Sequence, residues 1–133
     1  MVNDKFPLNV CVLFLIALSL SSAPAARATE LNLHIYPNPF FAGYHLYGRG
    51  EYAKVAFDIP AGGTASVYVY DFEGNLVRTL FEGKKYGPGK HEKEWDGRDD
   101  KSNLVAPGPY VIVLEITIQG ESYRDSFVAI ANR

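Results

Sequence analysis

A period of two, recurring in short runs beyond residue 30, constrains this chain most; each run closes on Gly, Pro, Asn or Asp. Leu31, Leu33 and Ile35 alternate with Asn32 and His34 until Pro37 and Pro39 end the run. Val55, Phe57 and Ile59 alternate with Lys54, Ala56 and Asp58 before Pro60 and Gly62-Gly63. Val67 and Val69 alternate with Tyr68 and Tyr70, and residues 72–75 turn the chain into a return strand over 76–80. Residues 83–89 read as a Gly-rich loop, 91–95 as a short charged strand and 96–103 as a polar loop. The longest apolar run, 110–118, turns at Gln119-Gly120-Glu121 into a last strand over 123–130. Such alternation gives each extended segment one face to bury and one to solvate. About seven such strands, with no helical period to supply a crossover, predict an all-β antiparallel sandwich.

The first 28 residues follow another pattern. Lys5 precedes an apolar stretch over 6–20, and small residues then surround an Ala26-Arg27-Ala28 site. Charged start, apolar middle and small-residue exit predict a signal peptide over 1–28, cleaved before Thr29. Pro7 and Asn9 interrupt the apolar stretch, which falls short of the roughly 20 residues a bilayer requires. No stable membrane insertion is therefore expected after cleavage. The one cysteine, Cys11, lies inside the stretch rather than behind a small residue at its end, which disfavours a lipoprotein anchor. The expected mature chain, 29–133, is one cysteine-free domain held by its core alone, in a periplasmic, cell-surface or extracellular setting.

Charge and residue inventory narrow the function. Beyond residue 28, eleven basic residues face fourteen acidic ones, a net charge of −3. Phosphate binding needs the opposite balance, so nucleic acid is excluded as the main partner. Ser66, Ser102, Ser122 and Ser126 sit in no nucleophile elbow. His34, His45 and His91 lack the close spacing of a zinc site. No catalytic residue, cofactor or metal is expected. Asp96-Gly97-Arg98-Asp99-Asp100 invites a calcium reading, but Arg98 stands where a ligand oxygen should be. Asp96 and Asp99 are better suited to accept backbone N–H groups in turns. Glu92 and Glu94 share one face of the charged strand and suit a solvated sheet edge.

Five motifs in order carry a resemblance across nearly the whole mature chain. They are Tyr36-Pro37-Asn38-Pro39-Phe40, residues 69–80, Gly89-Lys90-His91, Trp95-Asp96-Gly97-Arg98-Asp99-Asp100, and Val105-Ala106-Pro107-Gly108-Pro109-Tyr110. This pattern resembles the immunoglobulin-like domain of flagellar hook-capping (FlgD-type) proteins, and is similar to the C-terminal sorting domains of the type IX secretion system. The resemblance implies an immunoglobulin-like β-sandwich. In it Trp95, Asp96, Gly97, Asp99, Gly108 and Tyr110 are structural, and the Tyr110 phenol closes a turn onto backbone. Ser102-Asn103 stands where the family usually has Gly, and Lys93 where it is usually apolar. A cleavable signal is not how flagellar export substrates are addressed, so the fold carries over and the hook-capping role does not.

Trp95 is read as a core anchor, with a sugar-stacking platform as its alternative. Phe40, Phe41, Tyr44, Tyr47 and Tyr52 crowd a loop containing Gly43, Gly48 and Gly50. They form either a lid on one end of the sandwich or, as the candidate contact surface, an exposed aromatic patch. The expected function is that of a secreted, non-catalytic module binding protein in the cell envelope. A type IX sorting or surface-attachment domain is one alternative, and a small glycan-binding module another.

Overall fold

The computed structural model describes residues 31–133, apart from 44, 47, 48 and 51, and for 45, 46, 49 and 50 describes the backbone alone. The expected signal peptide lies outside the described residues. Among the described residues, ten strands run in chain order: β1 (His34–Tyr36), β2 (Phe40–Phe41), β3 (His45–Leu46), β4 (Arg49–Gly50), β5 (Ala53–Ile59), β6 (Gly63–Asp71), β7 (Leu76–Tyr86), β8 (Gly89–Trp95), β9 (Gly108–Ile118) and β10 (Glu121–Asn132). β1, β5 and β8 form one sheet in that order, and β2-β10-β9-β6-β7 form the second. β3 and β4 make a separate two-stranded ladder.

The two sheets therefore hold eight strands, not seven. The difference arises at Pro37-Asn38-Pro39, which cuts the first extended segment in two. Both X-Pro bonds there are cis, and the chain leaves β1 in one sheet and begins β2 in the other. β2 lies parallel to β10, pairing Phe40 with Ala131 and Phe41 with Asn132, so the sandwich is not wholly antiparallel. Asn38 prepares that pairing. Its amide donates to the Val128 carbonyl at 2.8 Å and accepts the Ile130 N–H at 2.9 Å, doing with a side chain what a strand does with backbone.

The expected loop over 83–89 is also largely strand, since β7 runs on through Gly83 to Tyr86. Its polar composition misleads because its ladder to β6 is made by backbone, with Lys85 opposite Thr64 and Tyr86 opposite Gly63. β6 and β7 shift register three times along their length, which absorbs the irregularity.

The core fills the space between the inner faces. Val55, Phe57 and Ile59 of β5 and Trp95 of β8 meet Val67 and Val69 of β6 and Ile112, Leu114 and Ile116 of β9. All are essentially inaccessible to water, and burying each stabilises the fold by about 1.5–3 kcal/mol. At one end Phe57, Phe81, Tyr86 and His91 close the sandwich ring on ring, with Tyr86 and His91 centroids 4.5 Å apart. β8 forms an edge of the smaller sheet, and its Glu92, Lys93 and Glu94 are exposed. Lys93 occupies the same side of β8 as Trp95, an inward charge that discourages further strand pairing.

Candidate contact surface

The motif residues gather at the end of the sandwich opposite the Tyr86 cluster. The Trp95 ring is fully buried, tilted against Phe40 at 5.3 Å and edge-on to Tyr110 at 5.5 Å. Its indole N–H donates to the Arg98 carbonyl at 3.0 Å. A core position with its polar tip satisfied leaves no face for stacking a sugar. Asp96 accepts the Arg98 N–H at 3.0 Å. Gly97 has φ +76° and is packed so tightly that a side chain there would overlap Ala42. Tyr110 donates its phenol to the Ala106 carbonyl at 2.6 Å, four residues upstream. Burial first, and the Asp71 carboxylate second, push the Tyr110 pKa up.

Two turns at this end are copies of one another. In Asp71-Phe72-Glu73-Gly74-Asn75, one carboxylate oxygen of Asp71 accepts the N–H groups of Glu73 and Asn75 at 3.0 and 2.9 Å. In Asp99-Asp100-Lys101-Ser102-Asn103, one oxygen of Asp99 accepts those of Lys101 and Asn103 at 2.9 and 2.8 Å. The fourth residue takes positive φ in both, Gly74 at +90° and Ser102 at +68°. The second turn then docks on the edge of β7. Asp100 donates its N–H to Val77, accepts that of Thr79 on its carboxylate, and Arg78 donates to the Asp99 carbonyl. These acidic side chains are thus committed to backbone. Among the described residues no group of three or more His, Cys, Asp and Glu is placed to hold a metal.

The five aromatics expected to share a contact patch do not stay together. Phe40 is a correction: it has no accessible surface and belongs to the core, because β2 turns its side chain toward Trp95. Phe41, next along the strand, faces outward and is 42% exposed. Tyr52 is 37% exposed and lines the gap between β7 and β8 with Arg78, Leu80 and Lys93. β2 and β7 are opposite edges of the larger sheet, so Phe41 and Tyr52 stand on opposite sides of the molecule. Tyr44 and Tyr47 lie outside the described residues.

A different apolar surface was missed by the sequence reading. Cross-strand register aligns Leu76, Tyr70, Val111 and Val128 in one row across β7, β6, β9 and β10. Their chain neighbours Val77, Val69, Ile112 and Ala129 belong to the core cluster or pack against it, so the row itself faces outward. Leu76 is 50% and Val128 41% exposed, and Ile130 on the same face is 40% exposed. Val113, one row along, is buried although it stands apart from the central core, with Tyr68 and Ser126 as its neighbours across the sheet. The signal was present in 110–118, where apolar residues fill both parities, but a strand buried on both faces gives the same pattern.

Residues 46–120 match the family model described as "FlgD Ig-like domain". The chain belongs to the FlgD Ig-like domain family. No curated protein matches it. Among solved structures, FlgD from P. aeruginosa shares this domain's fold with a TM-score of 0.53 at 20% identity, over 76% of this chain and 75% of that one. PorZ, a surface component of the type IX secretion system of Porphyromonas gingivalis, is similar at 22% identity and a TM-score of 0.48. That alignment spans 82% of this chain and 13% of PorZ. Within the FlgD Ig-like fold, the motif residues described above are packed and hydrogen-bonded into one end of the sandwich, and the apolar row lies on the outer face of the larger sheet.

Proposed function

We propose that the mature chain is an exported, non-catalytic module of the cell envelope that holds another protein against the outer face of its five-stranded sheet. The observation that carries this reading is the row Leu76, Tyr70, Val111 and Val128, an apolar line where a solvated sheet face would be polar. Leu76 and Val128 are exposed with Tyr70 and Val111 half-buried between them, and an apolar surface patch of this kind marks contact sites. The reading also rests on the committed state of the motif carboxylates, which leaves them no chemistry to perform. Export follows from the 1–28 signal peptide, with the final location periplasmic, cell-surface or extracellular.

Capture from native envelope extract tests the contact. The purified 29–133 chain should retain a partner that a Leu76→Ser, Val128→Ser variant loses while melting at the same temperature, since exposed substitutions usually cost within about 0.5 kcal/mol. Equal capture by the variant would overturn the sheet-face assignment, and loss through Tyr44→Ala with Tyr47→Ala would move the contact to that loop. N-terminal sequencing of exported protein should begin at Thr29, or at Ala26 if cleavage follows Ala23-Pro24-Ala25, and an intact Met1 chain in membranes would contradict export by cleavage.

A further inference from the structure

On the opposite side of the sandwich, the outer face of β1, β5 and β8 carries a groove of about 720 Å³. Its floor is Ala56, the smallest side chain on that face, with His34 and Glu92 as its register neighbours on either side. Ala56 is buried yet stands apart from the central core, as a floor beneath taller walls requires. One wall is aromatic: His34 and Tyr36 stack with centroids 5.5 Å apart and planes 18° apart, and the Lys54 ammonium lies 5.9 Å from the Tyr36 ring.

The rim is fixed in place by one residue. Asn32 adopts φ +46°, receives the His34 Nδ1 proton on its carbonyl at 2.8 Å and donates its side-chain amide to Asp58 at 2.8 Å. Because a carbonyl only accepts, the neutral His34 ring carries its proton on Nδ1 and presents Nε2 as a bare acceptor. Asp58 retains a second carboxylate oxygen. Lys90 and Glu92, further along the groove, make no ion pair or side-chain hydrogen bond with any described residue. The groove thus offers uncommitted donors and acceptors on a rim that needs no ordering, beside an apolar ring wall.

The charges select against anionic ligands. Among the lining residues Asp58 and Glu92 face Lys90 alone, a net charge of −1, so an anion gains nothing from the local field. What fits is an uncharged molecule with many hydroxyl groups and one apolar face. We propose that this groove binds a neutral pyranose oligosaccharide, its C–H face against the Tyr36–His34 wall and its hydroxyl groups shared among Glu92, Asp58, His34 and Lys90. Its volume lies within the roughly 300–1,000 Å³ of ligand sites. Charge-assisted bonds to Glu92 and Lys90 would supply much of the affinity.

Titration calorimetry with cellohexaose, chitohexaose and maltohexaose tests this on the 29–133 chain. At least one sugar should bind saturably, and Tyr36→Ala and Glu92→Gln should each weaken it tenfold or more without lowering the melting temperature. The Leu76→Ser, Val128→Ser variant, altered on the other outer face, should bind the same sugar as wild type, so failure here and failure of the protein-contact reading are separable. Absence of binding by all three at millimolar concentration, binding that survives both groove variants, or preference for polygalacturonate over every neutral sugar would each overturn the assignment.

Discussion

Trp95 and Arg98 hold the motif end of the sandwich together, the indole N–H of one donating at 3.0 Å to the carbonyl of the other across a three-residue step. The bond lets a large ring enter the core between Phe40 and Tyr110 without leaving its polar atom unpaired. Trp95→Ala should cost about 3–5 kcal/mol through the cavity it opens. Trp95→Phe keeps most of the bulk but orphans the carbonyl, and should cost about 1–3 kcal/mol. Urea unfolding of both variants checks the order. Equal losses would mean that the ring's bulk contributes nothing beyond its hydrogen bond.

Gly97 and Gly74 separate steric from conformational cost. Both have positive φ, but a Cβ at Gly97 would stand 2.5 Å from the Ala42 Cβ, while one at Gly74 meets nothing within 4 Å. Gly74→Ala should cost about 1–2 kcal/mol, the left-handed backbone penalty alone. Gly97→Ala adds overpacking of about 1–3 kcal/mol to the same penalty. Thermal melts of the pair should show the larger drop at Gly97.

Acid should act on the first of the twin turns. The Asn75 side-chain amide, then the Asn75, Glu73 and Gly74 N–H groups, hold the Asp71 carboxyl below the usual aspartate value, against a smaller opposing effect of burial. A carboxyl whose pKa is lower in the folded chain adds stability above its unfolded pKa and loses it as pH falls through the folded one. That contribution is complete at neutral pH and disappears below the ordinary aspartate range. Asp71→Asn should flatten the dependence of melting temperature on pH in that acid window. A wild-type slope retained in the variant would assign the effect to other carboxylates.

Tyr110→Phe removes the donor to the Ala106 carbonyl and should cost about 0.5–1.5 kcal/mol. The Tyr110 pKa is raised in the folded chain, so its contribution is complete below the unfolded tyrosine value and is lost as pH climbs through the folded one. Melting temperatures measured across alkaline pH should therefore fall less steeply in Tyr110→Phe than in wild type.

Local chemistry was readable from the residues themselves. Alternation announced the strands around Val55, Val67 and Val69 because a period of two needs no partner to be seen. The turn at Asp99 was readable for a similar reason: an Asp that bonds N–H groups two and four positions on depends only on its own neighbours. The Ser102 turn, reached without the glycine usual in the family, was legible as a constraint on that loop, and the structure assigns the positive φ to Ser102 rather than Asn103.

What the tertiary structure alone decided was which neighbour covers each face. Phe40 and Phe41 look alike in sequence, yet one strand step sends the first into the core and leaves the second outside. Val111 and Ile112 differ in the same way, and only pairing across four strands makes Val111 part of an outward row. Asn32, His34 and Asp58 are 26 residues apart at their ends, and become one rim only when β1 pairs with β5. A period of two states that a strand has two faces. Which face is buried, and what the other meets, is set by register between distant segments, and that register is a property of the assembled sandwich.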